Sequence, residues 1–195
     1  MGFIRNLLTL IGLATVAGAA YLWTIIGPDL QAISKFDPQA KNVYATMFKG
    51  LASTGKSADA TVWKIPLEEE ISWEDAEEAM RFVANEHNIK NVGELPLSEQ
   101  VTLMTGEKQR FLKIYQFCNP LTAAKMVDYS DAFSAYLPCR IAMVEDKNGK
   151  FNLYSLNMDM MIHGGTPLPP DLLEAANNVK TIMLDIMKRG AAGEF

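Results

Sequence analysis

The chain has 195 residues, two cysteines and a formal net charge of −5. Two cysteines are too few for a disulfide-stapled scaffold. Arg5 is the single charge in the first 28 residues, so the remainder carries 17 basic and 23 acidic residues, net −6, which argues against a nucleic-acid surface and against a polybasic grip on anionic lipid.

Leu7 to Ile26 is an uncharged run of apolar and small residues. As a helix, a run of about 20 such residues crosses a hydrocarbon core of ~30 Å. Arg5 before it and Asp29 after it favour a cytoplasmic N-terminus, with the rest exported. The rival reading is a cleaved signal peptide ending near Ala17-Gly18-Ala19. Tyr21, Leu22, Trp23, Ile25 and Ile26 carry the run on to full membrane length, which favours a signal-anchor. The expectation is a single-pass inner-membrane protein whose body lies in the periplasm or another extracytoplasmic space. It divides into an anchor over 1–28, a juxtamembrane helix and linker over 29–59, and a domain over 60–195.

Gly27-Pro28 is expected to break the span. Helical spacing then runs from Leu30 to Leu51, interrupted by Asp37-Pro38, and Ser53 to Asp59 reads as a polar linker. Gly50 to Ser57 formally completes a phosphate-loop pattern, but a helix precedes it and a strand over Ala60 to Ile65 follows, the reverse of the required context.

Within the domain, Ser72 caps a helix to about Glu86, with Trp73, Ala76, Met80 and Val83 on one face. Val92 to Leu95 is a short strand, Ser98 starts a further helical turn or two, and Arg110 to Phe117 alternates as a strand. Asn119-Pro120 opens a helix with Asn as N-cap and Pro at N1. Cys139–Glu145 and Lys150–Leu156 are strands joined through Asn148-Gly149, the strongest hairpin signal in the chain. Pro170 to Arg189 is a last amphipathic helix stopped by Gly190. The fold class is therefore α+β, a small two-layer domain with a largely antiparallel sheet, preceded by one transmembrane helix.

No catalytic triad or zinc-ligand spacing stands out, so no catalytic residue, cofactor or metal is assigned. Cys118 and Cys139 flank one segment. If their strands are neighbours, the pair forms either a stabilising disulfide or a thiol site in which Arg140 lowers a thiolate pKa. Met158 to His163 joins thioethers to an imidazole, ligands that suit Cu(I). As a strand, however, Met158 and Met160 would share a face that Met161 leaves, and methionine is common core filler.

Lys113 to about Asp159 resembles the domain of unknown function 302 family. The resemblance rests on Cys118-Asn119-Pro120, on Leu137-Pro138-Cys139-Arg140, on the hairpin Val144 to Lys150 and on Asn157-Met158-Asp159-Met160. It extends over roughly the last two thirds of the chain. It implies a small fold with an antiparallel sheet, often dimeric, with no agreed activity to carry over. The matching positions Cys118, Asn119, Pro120, Pro138, Cys139, Arg140 and Asp159 mark a candidate site, with all but Pro138 taken as ligand-binding residues. There the helix start at Asn119 and the charge of Arg140 would favour an anion or polar group, with Asp159 pairing Arg140 or fixing a ligand's donor.

The expected function is a membrane-tethered extracytoplasmic binding or interaction module, a homodimer or an accessory subunit of a larger membrane complex. The alternative is a thiol- or copper-dependent protein in sulfur or metal handling.

Overall fold

The computed structural model describes residues 2–195. Helix α1 (Gly2–Ile33) is about 48 Å long at 1.5 Å per residue and is apolar enough to cross a membrane. Leu8, Leu13 and Trp23 each leave more than 60% of their surface exposed, so the described residues of the domain do not cover it. Pro28 lies inside this helix rather than ending it. A proline removes one backbone donor, and a span tolerates that loss where neighbouring bonds hold the turn. The indole of Trp23 lies against Gly27, where an added Cβ would come within 3.2 Å of the ring.

Asp37-Pro38 makes the expected interruption before α2 (Ala40–Thr54). The segment read as a linker is more ordered than its composition implies. Gly55 at φ +67° closes α2, and Ser57–Thr61 forms a short helix, α3.

The sheet contains β1 (Val62–Pro66), β2 (Lys90–Leu95), β3 (Leu112–Cys118), β4 (Cys139–Glu145) and β5 (Phe151–Leu156) in the order β1-β5-β4-β3-β2. Every neighbouring pair is antiparallel. The β4–β5 turn closes as expected: the Asp146 carboxylate accepts from the Asn148 and Lys150 N–H groups, and Gly149 takes φ +80°.

Helices α4 (Trp73–Glu86) and α8 (Pro170–Ala192) cover one face of the sheet. Alternation along the strands aims Tyr115, Phe117, Ile141, Met143 and Leu153 at them, and all five are fully buried with Met80, Met183, Ile186 and Met187. Six of the eleven methionines (Met80, Met126, Met143, Met158, Met183 and Met187) are core filling. Ser72 caps α4 by accepting from the Asp75 N–H. Asn119 caps α6 (Pro120–Tyr129) by accepting from Leu121 and Thr122.

Three elements differ from expectation. Helix α8 passes through Gly190, which packs against Met80, and ends instead at Gly193 in the left-handed conformation. Helix α5 (Leu97–Thr105) starts after Pro96 rather than at Ser98, whose hydroxyl instead accepts from the Leu112 N–H on β3. Residues 159–163, weighed above as a strand, form helix α7 (Asp159–His163).

Among the described residues, the second face of the sheet has no helical layer matching α4 and α8. It presents Ile114, Ala142, Val144 and Tyr154, all half-buried, together with Lys64, Gln116 and Arg140.

Candidate functional site

The site residues expected from sequence are spread over three depressions, and Cys139 borders two of them. Phe117, not Cys118, lies opposite Cys139. Cys118, Asn119 and Cys139 border an apolar cavity of about 30 Å³ beneath α6, room for a water or two and no substrate. Pro120 is the first residue of α6. The Asn119 side chain is occupied as a cap.

Both thiols are free. Burial pushes the Cys118 thiol up. Burial, reinforced by Cys118, pushes Cys139 to about 11 against the smaller pull of Arg140. At neutral pH both are therefore thiols rather than activated thiolates, the opposite of the effect expected from Arg140.

Arg140 pairs with Gln116 in the register and stands exposed, on the sheet face opposite Cys139. It nevertheless borders, together with Cys139, a cleft of about 290 Å³ that Tyr136, Tyr154 and Ser155 also line. Asp159 takes Lys180 of α8 as its ion-pair partner. That pair borders a second cleft of about 400 Å³, within the size range of small-ligand pockets. The two clefts share Tyr136, Leu156 and Met161, so Arg140 and Asp159 lie on adjoining depressions.

The second cleft lies between the juxtamembrane helix and the domain. Gln39, Asn42, Thr46 and Met47 come from α2 and its start; Met160, Met161 and His163 come from α7. Three bonds hold the walls together. His163 Nδ1 meets Asp37 Oδ2 at 3.1 Å, the Tyr44 hydroxyl donates to the Gly164 carbonyl at 2.7 Å, and the Asp37 N–H donates to the Gly165 carbonyl at 2.7 Å. Asp37 and His163 are buried, at 7% and 5% exposure. The Gln39 N–H holds the Asp37 pKa down against burial, and His163 adds to that effect. Asp37 and His163 are 126 positions apart, and no local pattern announces their meeting.

A second polar cluster also escaped sequence reading. Glu77 of α4 accepts from Lys113 at 2.7 Å and from the Tyr115 hydroxyl at 2.5 Å, and pairs with Arg81 at 2.6 Å. Glu94 takes Arg81 at 2.6 Å, Lys113 at 2.8 Å and Asn91 at 2.7 Å. Burial works to raise the Glu94 pKa, but these bonds outweigh it and bring the pKa to about 2. Burial pulls Lys113 down, and Glu77 with Glu94 pulls it further up. Burial and Glu77 raise Tyr115 well above the phenol range. The cluster is a closed, mutually satisfied network that ties α4 to β2 and β3. The signal available in sequence was Glu77 on the apolar stripe of α4, four residues after Trp73.

This geometry defines a class: a two-layer α+β domain with a five-stranded antiparallel sheet, carried behind an exposed apolar helix, with a mixed polar and apolar cleft between the juxtamembrane helix α2 and the domain. The sequence profile of the domain of unknown function DUF302 matches residues 63–189, and the chain belongs to that family. A crystal structure of an uncharacterized conserved DUF302 protein from Bacillus stearothermophilus is similar, with a TM-score of 0.54 at 15% identity, over 66% of this chain and 97% of that one. That likeness is one of fold. No curated protein matches the chain.

Proposed function

We propose that the protein is a membrane-tethered, extracytoplasmic binding or interaction module, acting as a homodimer or as an accessory subunit of a larger membrane complex. The observation that carries this reading is the uncovered apolar surface of α1, fully wetted unless lipid surrounds it. Arg5 on the short N-terminal side supports export of the domain. The juxtamembrane segment is fastened to the domain through Asp37 and Tyr44, which supports a domain held close to the bilayer.

The second sheet face supports an interaction role. That face is mixed: Ile114, Ala142, Val144 and Tyr154 lie among Lys64, Gln116 and Arg140, an apolar patch with a polar surround. A second copy of the chain or a neighbouring subunit would cover it. Thiol chemistry is the weaker alternative, because burial holds both cysteines as protonated thiols and leaves no activated nucleophile. Native mass spectrometry of the full chain in mild detergent tests the proposal. A dimer or a co-purifying subunit is expected, and a bare monomer would count against it.

A further inference from the structure

We infer that the cleft between α2 and α7 is a soft-metal site for Cu(I), held by the imidazole of His163 and the thioethers of Met47, Met160 and Met161. This goes beyond the tethering role and does not depend on which side of the membrane the domain occupies. Because residues 159–163 are helical, Met160 and His163 stand three positions apart on one helical face, an alignment that a strand would not give. Met161 and, from the facing helix, Met47 border the same cleft.

His163 has the arrangement of a metal ligand. It is 95% buried by its 5% exposure, and its Nδ1 is matched by the Asp37 carboxylate. Among the described residues, no hydrogen-bond partner is found for its Nε2, yet no buried side-chain nitrogen or oxygen is left enclosed and unsatisfied. The second nitrogen is therefore accessible, and His163 lines the cleft. Carboxylates that hold one imidazole nitrogen orient the other toward a metal and raise its basicity. Three neutral thioethers with one neutral imidazole make a soft set that selects Cu(I) over oxygen-seeking cations. The nearby charges, Lys180 and Asp159, are paired with each other.

The test is an anaerobic titration of the full chain in mild detergent against Cu(I)-bicinchoninate, read by loss of the probe's colour. The wild type is expected to withdraw one Cu(I) per chain. His163→Ala should weaken binding at least tenfold, as should Met160→Leu combined with Met161→Leu. Asp37→Asn should weaken it about 10–100-fold, the usual effect of losing a ligand's supporting partner. Met160 is 44% exposed, so Met160→Leu alone keeps the fold and should still show a measurable loss; circular dichroism checks each variant. Cys118→Ser with Cys139→Ser should bind like the wild type. The inference is overturned if the wild type takes no copper from the probe, if copper is lost with the cysteines, or if the folded histidine and methionine variants bind unchanged. Zn(II) binding of equal strength at the same residues would overturn it too.

Discussion

Replacing Lys113 with methionine removes the ammonium that lies 2.7 Å from Glu77 and 2.8 Å from Glu94. Both the lysine and Glu77 are largely shielded, with 16% and 11% of their side chains exposed. Removing one partner of a buried ion pair typically costs about 3–5 kcal/mol. Here Arg81 still stands 2.6 Å from each carboxylate, and Tyr115 still donates to Glu77. A loss of about 2 kcal/mol is therefore expected, or ~8 °C in Tm for a domain of this size.

The variant should also change the acid response. The Glu94 pKa falls from 4.5 to about 2 on folding, so its contribution is complete above 4.5 and is lost as pH falls toward 2. With a quarter of its side chain exposed, solvent screening reduces that contribution to about 1–2 kcal/mol. Without Lys113 the depression shrinks, so Lys113→Met should lose less stability than the wild type across that window. Thermal unfolding of the full chain in detergent, followed by near-ultraviolet circular dichroism at pH 7 and at steps from 5 to 2, reads both effects. A Tm within 2 °C of wild type at pH 7, or an identical acid profile, would refute the reasoning.

Asp37→Ala with Tyr44→Phe should release α2 from α7. Amide exchange over residues 40–50 then rises while exchange in β3 and β4 stays unchanged, and unaltered exchange in α2 would show that other contacts hold it. Alkylation of Cys139 in the folded protein should be slow at pH 8 and accelerate as pH approaches about 11, where its thiol ionises. A labelling rate at pH 8 equal to that of a free thiol would contradict the burial argument.

What could be read from sequence is what local chemistry decides. The Asn148-Gly149 turn, the Ser72 and Asn119 caps and the start of the amphipathic α8 each depend on residues within a few positions of one another, and each forms as expected. Five residues such as Asp159–His163 show no helical period, so their methionines were assigned strand geometry and the shared face of Met160 and His163 was lost. The expected site residues are spread apart for the complementary reason. Strand ends brought Cys118 and Cys139 near one cavity, but alternation turned Arg140 to the other face, and Lys180, 21 positions beyond Asp159, took the partner foreseen for Arg140. The contacts that shape the roomy cleft, Asp37 with His163 and Tyr44 with Gly164, span more than a hundred residues. Such pairings become visible only once the sheet is assembled.

The reading that the domain is tethered outside the cytoplasm is tested most directly by protease accessibility in right-side-out and inside-out membrane vesicles, detected with an antibody to α8. Digestion of the domain in right-side-out vesicles, with protection in inside-out ones and retention in the membrane pellet after alkaline washing, is the predicted result. Protection in right-side-out vesicles, or release of the whole protein by the wash, would contradict it.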